Sequence, residues 1–208
     1  MIIVTSFELK HNSLKGFFTV VSSGAARCPL CGGFLTYRDS RVRKSKNFLG
    51  EVRRFLLCRF FCGECKTLHT EIPDIIQPRK HYDSEAIQNA LDGGADASAC
   101  VADDSTIRRW KADFAKAGGD ISQRLASIQA KLVDGKVPIP ASNRILDDIR
   151  AGHARWLPFV MALLVNSGHK LFTQFAFCPP GFDGKVDIVR KLKGKGGGKF
   201  DKTIEDSS

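Results

Sequence analysis

The chain has 208 residues, 43% of them hydrophobic, which is enough apolar material for a folded core and excludes wholesale disorder. Its formal net charge of +10 favours a polyanionic partner such as nucleic acid, with solubility alone as the alternative explanation. The longest apolar run, residues 156–165, is far shorter than the ~20 residues that a bilayer requires, so we expect no membrane partner. Because the first residues also lack a secretory signal pattern, we expect a cytoplasmic protein.

The first part of the chain is rich in β-strand patterns. Apolar stretches at residues 2–4 and 17–21 predict two short strands. Further β-rich stretches at residues 34–42 and 52–61 flank a turn-like segment at residues 46–50. We predict a twisted hairpin there.

From residue 83 onward the pattern predicts helices. The expected helices span residues 84–91, 106–117, from 120 or 122 to 133, 142–151 and 153–166. Gly93 and Gly94 would end the first helix and Gly118 and Gly119 the second, which Asp104-Ser105 would cap. Residues 179–208 form a basic tail rich in lysine and glycine, whose composition predicts disorder.

Two cysteine pairs point to a metal site. In Cys28-Pro-Leu-Cys31-Gly-Gly and Cys62-Gly-Glu-Cys65-Lys-Thr, each pair can direct two thiolates at one centre. Two such pairs make a closed tetrahedral site of the structural zinc type, and in a reducing compartment the clustering favours a metal over disulfides. We therefore predict one structural Zn²⁺ per chain that stabilises the small hairpin. Four buried or redox cysteines are the alternative.

Other soft ligands lie near these pairs. Cys58 has workable spacing to Cys62 but lies in an apolar strand, which favours a core position. His69 follows the second pair and could replace a thiolate. The sequence leaves open whether Cys58 or His69 takes part in the site. Cys100 and Cys178 stand alone, and we expect both to be buried apolar side chains.

The predicted hairpin is strongly basic. Arg41 and Arg43 alternate, so they share one strand face, where guanidinium groups suit phosphate oxygens. Such contacts hold a protein on nucleic acid without reading the base sequence. A solvated basic face is the alternative. The nucleic-acid contacts expected here are Arg38, Arg41, Arg43, Lys44, Arg53 and Arg54.

Residues 82–91, a loop and residues 104–114 have the layout of a helix-turn-helix. Ile107, Trp110 and Phe114 recur at helical spacing and predict a core face. The start of the second helix would present outward side chains where recognition helices contact bases. An ordinary amphipathic helix is the alternative. The contacts expected from this helix are Thr106, Arg108, Arg109 and Lys111.

The segments CPLCGG, RFFCGECKTLHTEIPDIIQPRKHY, STIRRWKADF and VNSGHKLFTQFAF resemble an uncharacterised bacterial family with a zinc ribbon and a helix-turn-helix, a domain of unknown function common near mobile elements. The resemblance covers roughly residues 28–178. The front end is also similar to the DNA-binding heads of insertion-sequence transposases. The resemblance implies DNA binding with both cysteine pairs as metal ligands, and no established reaction. Two features depart from it: the long loop at residues 92–103 and the basic tail.

We therefore predict an α+β chain with a zinc ribbon and preceding strands at residues 1–76, a mostly helical region with a helix-turn-helix at 77–178, and a tail at 179–208. The expected function is binding of double-stranded DNA as a regulator or accessory factor of a mobile element. An RNA-binding zinc ribbon is one alternative, and an adaptor whose partner surface comprises residues 156–165 with Phe172, Phe175 and Phe177 is another. Without a phosphate loop, a nucleophile elbow or a nuclease-like grouping of carboxylates, we expect no catalytic activity.

Overall fold

The computed structural model describes residues 1–23, 27–93, 100–132 and 144–169. These residues form a mixed α+β fold, as the sequence predicted. Several predictions fall outside the described residues. They concern residues 94–99 of the loop between the two predicted motif helices, residues 133 and 142, residues 172–178 and the tail at 179–208. The described elements are β1 (Ile2–Val4), β2 (Phe7–Asn12), β3 (Phe17–Ser22), β4 (Leu35–Lys46), β5 (Val52–Cys62), β6 (Leu68–Pro73), α1 (Ser84–Asp92), α2 (Asp104–Leu132), α3 (Ile145–Gly152) and α4 (Trp156–Asn166).

The strands form one curled sheet in the order β1-β6-β5-β3-β2, with β4 also paired to β5. Strand β4 runs antiparallel to β5 along its length, whereas β3 pairs with the first half of β5 and β6 with the second half. The predicted strands at residues 2–4 and 17–21 are confirmed. Strand β2 was not predicted, because its half-buried pattern offers only Phe7 and Leu9 as apolar positions.

The predicted hairpin is confirmed as β4, a tight turn and β5. The N–H of Asn47 donates to the carbonyl of Glu51, and the Asn47 side chain also hydrogen-bonds both the backbone and the carboxylate of Glu51. Gly50 completes the turn at φ 83°, a left-handed conformation that glycine adopts without a steric cost. The turn fixes the register of the two strands, and with it the face on which every side chain of the hairpin lies.

One face of β5 packs into the core of the sheet. Phe55 and Leu57 are each 1% exposed and cluster with Val20, Ile72 and Ile76. Cross-strand partners share a face, so the β4 residues paired with Phe55 and Leu57 lie on this inner face as well. The residues between them lie on the opposite, outer face.

Helix α1 matches its prediction and ends at Gly93 with φ 67°. Helix α2 does not end at Gly118 and Gly119 but continues to Leu132 as a helix of 29 residues. Its cap is Asp103 rather than Asp104-Ser105, because Asp103 Oδ1 accepts the Thr106 N–H at 2.8 Å.

The prediction of a break in α2 was wrong because one buried stripe runs along the whole helix. An interior glycine costs about 1 kcal/mol relative to alanine, whereas burial of one large apolar side chain gains about 1.5–3 kcal/mol. The stripe therefore outweighs the two glycines. Its members are Trp110, Phe114, Ala117, Ile121, Leu125 and Ile128.

Helix α4 is nearly all core. Trp156, Leu157, Val160 and Leu164 are each at most 2% exposed, and Phe159 is the large side chain of this helix that reaches the surface, at 38%. The stretch that the adaptor alternative treats as a partner surface is therefore packed inside the fold. None of the helices among the described residues is long and apolar enough to cross a membrane.

Candidate metal centre and basic hairpin

Both cysteine pairs lie in turns of the same form. The N–H of Cys28 donates to the carbonyl of Gly33, and the N–H of Cys62 donates to that of Thr67, five residues on in each case. The residue after each second cysteine is left-handed, Gly32 at φ 76° and Lys66 at φ 57°. The second turn therefore has a lysine in a conformation that favours glycine. The first turn precedes β4 and the second follows β5, so hairpin pairing brings them together.

The four sulfur atoms lie close enough to share one ion. Cys28 Sγ is 3.5 Å from Cys65 Sγ, Cys31 Sγ is 3.5 Å from Cys62 Sγ, and all four lie within 4.8 Å of one another. A tetrahedral zinc–thiolate site with bonds of ~2.3 Å has sulfur–sulfur edges of ~3.8 Å. The described residues thus place all four predicted cysteines in an arrangement that could hold a metal ion.

The electrostatics of the cluster are compatible with a bound cation. A hydrogen bond from Thr67, assisted by those from neighbouring thiols, lowers the pKa of Cys65 to about 6. The Gly33 N–H favours the Cys31 thiolate too, but the adjacent Cys62 and the other sulfurs prevail and raise the pKa of Cys31 to about 12. Close thiols cannot all ionise without a compensating positive charge, because each thiolate repels the next. A bound divalent cation would supply that charge.

His69 and Cys58 both lie outside the four-sulfur group. His69 is 1% exposed, and its Nε2 lies 3.4 Å from Cys28 Sγ, which suits a hydrogen bond to the sulfur. Its Nδ1 lies 2.9 Å from the Met1 nitrogen, and burial lowers the pKa of the ring. Cys58 pairs with Ser40 and precedes Cys62 by four strand residues, a separation of ~13 Å along β5. The contact between His69 and Cys28 depends on β5–β6 pairing, which the sequence does not reveal.

The register divides the predicted basic contacts of the hairpin between its two faces. Arg41 and Arg43 do share a face, but it is the inner one, because they pair with Leu57 and Phe55. The Arg43 guanidinium donates to the carbonyls of Gln77 and Lys80 at 2.7 and 2.9 Å. Arg43 is therefore engaged within the protein and is not part of the exposed basic surface of the hairpin.

Arg53 is engaged in the same way. Its guanidinium lies 3.2 Å from the carboxylate of Asp83, which also caps α1 by accepting the Ala86 N–H. Arg59, also on the inner face, pairs with Asp39. Arg38 lies at the bulge of β4, exposed and 3.9 Å from the Asp39 carboxylate. Arg43, Arg53 and Arg59 of the inner face are thus engaged within the protein. Arg41 is exposed at the rim of this face.

The outer face carries the remaining cations of the hairpin. Lys44 and Arg54 are exposed and lie directly opposite each other across the two strands, with Lys46 one step further along β4. Within β4 and β5, both described throughout, no acidic residue shares this face. Like charges placed directly opposite destabilise a sheet, so an anionic ligand would relieve a repulsion that is built into the fold.

The residues predicted for the second motif helix lie at the start of α2. Arg108, Arg109 and Lys111 are exposed, whereas Thr106 is half-buried and donates its hydroxyl proton to Asp103. Of the core-facing predictions, Trp110 and Phe114 are buried and Ile107 is half-buried. Tyr82 connects this helix to the hairpin. Its ring packs against Trp110 at 5.2 Å and lies 5.6 Å from the Lys46 ammonium.

Residues 28–110 match a family described as a domain of unknown function (DUF6431). The matched segment contains both cysteine pairs, the basic hairpin, α1 and the first turns of α2. No curated protein and no solved structure shows significant similarity to the chain. The family description assigns no ligand, reaction or partner.

Proposed function

We propose that this chain is a DNA-binding protein whose hairpin is held in shape by a structural zinc ion. The observation that carries the proposal is the pair Lys44 and Arg54, two exposed cations directly opposite each other on a face of the hairpin without acidic residues. A net charge of +10 adds long-range attraction for a polyanion. Phosphate oxygens are the ligands that such a face fits.

Zinc is the metal that four clustered thiolates favour, since soft sulfur ligands in a closed tetrahedron are typical of structural zinc sites. The ligands would be Cys28, Cys31, Cys62 and Cys65. A site with four protein ligands leaves no open position for a substrate, so we propose a binding role rather than a catalytic one. The ion would tie the start of β4 to the end of β5 and so keep the outer face rigid, in the manner of a zinc ribbon.

The exposed start of α2 is the second part of the proposed surface. Arg108, Arg109 and Lys111 would contact DNA in the way that the second helix of a helix-turn-helix does. RNA is the second candidate, because a phosphate-binding hairpin suits both polymers. The buried state of α4 argues against the adaptor alternative. A role at mobile elements rests on the sequence resemblance alone.

The test is a salt series of binding measurements on the purified chain, after its metal content has been determined. We expect about one zinc per chain and an affinity for duplex DNA that falls steeply with salt. Lys44→Gln should weaken binding to duplex DNA and make the negative slope of log affinity against log salt shallower by about 0.9. The control Lys116→Gln removes an exposed charge from α2 and should leave the slope unchanged. Arg108→Ala with Arg109→Ala should relax sequence preference.

Metal removal supplies a second arm of this experiment. A chelator strong enough to strip the cysteines should unfold the hairpin and abolish binding, and added zinc should restore it. A metal-loaded chain with no affinity for DNA or RNA at low salt would refute the proposal.

A further inference from the structure

We propose that the outer face of the hairpin binds an unpaired nucleic-acid strand. The bases of the strand would stack on Tyr37, and its phosphates would be bound by Lys44 and Arg54. This inference rests on the proposed function and specifies the form of nucleic acid that the hairpin takes. It starts from an aromatic side chain that the sequence analysis did not single out. Tyr37 is 61% exposed, although it is paired within the sheet; it lies two residues from the start of β4, next to the bulge.

Tyr37 is held in place rather than free to turn. Its ring packs edge-on against its cross-strand partner Phe60 at 6.2 Å, and its hydroxyl lies 2.9 Å from the Ser40 hydroxyl. Phe60 in turn pairs with His69, which contacts the sulfur of Cys28. The aromatic pair therefore lies beside the proposed metal centre, and the metal would stabilise its position. A fixed, exposed ring loses little entropy when a base stacks on it.

The cations lie further along the same face. The register puts Tyr37, Ser40, Val42 and Lys44 of β4 on the outer face, opposite Phe60, Cys58, Leu56 and Arg54 of β5. The strand rise separates Tyr37 from Lys44 by ~20 Å. Val42, 40% exposed, lies between Tyr37 and the basic pair, whereas Val52, 54% exposed, lies beyond the basic pair and opposite Lys46. An aromatic end, an apolar middle and a basic end thus form one continuous strip.

This combination fits an unpaired strand better than a duplex. In a duplex the faces of the bases are stacked on one another, so an exposed ring on a sheet has nothing to stack on. Splayed bases instead present their faces, and proteins that bind single strands combine aromatic stacking platforms with basic tracks for the backbone. Exposed valines also favour contact with bases over contact with the phosphates of a duplex.

Phe34 provides a matched control within the same chain. It is 65% exposed and precedes β4 by one residue, so it is as accessible as Tyr37 and close to it in sequence. Strand alternation puts it on the other face, and the Arg27 guanidinium covers its ring at 3.7 Å. Substitution of Phe34 should therefore leave the outer strip intact.

The experiment measures fluorescence anisotropy of the metal-loaded chain with labelled oligothymidine, oligouridine and a mixed-sequence duplex at one salt concentration. We expect tighter binding to the single strands than to the duplex. Tyr37→Leu should weaken single-strand binding about tenfold, the loss of one stacked base, while changing duplex affinity less than about twofold. Phe34→Leu should change neither. Metal content and circular dichroism establish that each variant is folded.

A bromodeoxyuridine strand gives a second readout that needs no variant, since irradiation should attach it to the peptide containing Tyr37. The ratio of oligothymidine to oligouridine affinity shows whether the strand is DNA or RNA. Duplex preference in the wild-type chain, or unchanged single-strand affinity in Tyr37→Leu, would overturn this inference while the proposed function survives. Absence of binding to all three probes would overturn both.

Discussion

Arg43 and Lys44 are neighbours in the chain, carry the same charge and were both predicted to contact nucleic acid, yet they lie on opposite faces of β4. Arg43→Gln and Lys44→Gln each remove one positive charge, so long-range attraction falls equally in both variants. We expect the first variant to lose stability and to lose affinity only through this shared long-range effect. The second should keep its stability and lose affinity.

The expected loss of stability in Arg43→Gln follows from the two hydrogen bonds of the Arg43 side chain. Its guanidinium donates to the carbonyls of Gln77 and Lys80, which hold the segment between β6 and α1. Hydrogen bonds that involve a charged group contribute about 1.5–3 kcal/mol, and because one nitrogen makes both, we expect a total loss of about 2 kcal/mol. The pKa of Arg43 is lowered mainly by burial and to a smaller extent by the positive charge of Arg41, which is consistent with a partly desolvated side chain.

Urea denaturation followed by circular dichroism measures the stability difference. With an m-value of about 2 kcal/mol/M, Arg43→Gln should lower the midpoint by about 1 M. Lys44→Gln, at an exposed position, should change the free energy of unfolding by less than about 0.5 kcal/mol. Anisotropy on the same samples gives affinity. An unchanged midpoint in Arg43→Gln together with weaker binding would show that the register, and with it the division into faces, is incorrect.

The remaining predictions address the metal site, the start of α1 and the continuity of α2. Cys65→Ser should lower both the number of metal ions bound per chain and the melting temperature, whereas Cys58→Ser should still bind one metal ion per chain. Mass spectrometry measures the bound metal, and equal metal loss in both variants would contradict the assignment of the four sulfur ligands. Asp83→Ala should destabilise the chain by about 2 kcal/mol, because it removes the helix cap and leaves Arg53 without its carboxylate. Asp83→Asn should cost about 1 kcal/mol, because the amide oxygen still caps the helix. Chemical denaturation measures both losses, and equal losses would show that the cap contributes nothing. Gly119→Ala should raise stability by up to about 1 kcal/mol, since no atom lies within 4 Å of the added methyl group, and a lower melting temperature instead would argue that the helix breaks there.

The cysteine pairs show how far local sequence can determine a site. Two short turns, each with two thiols three residues apart, can be recognised from spacing alone, and the turn between β4 and β5 brings them to one place. The hairpin, α1 and the core face of α2 were predictable for the same reason, because turn chemistry and helical periodicity act over a few residues.

The orientation of the hairpin was decided by the tertiary structure. Strand β5 has apolar residues at consecutive positions, Phe55-Leu56-Leu57-Cys58, so a period of two does not reveal its inner face. Only the packing of Val20, Ile72 and Ile76 against Phe55 and Leu57 selects that face. The same packing turns Arg43 and Arg53 into structural residues and leaves Lys44, Arg54 and Tyr37 outside.

The length of α2 was decided in the same way. Gly118 and Gly119 end a helix when only local conformational preference is considered, but a buried stripe of side chains that runs past them stabilises the continuous helix. Local chemistry thus determined which turns, caps and ligand pairs this chain can form. Burial, which depends on residues distant in sequence, determined which side chains remain free to bind.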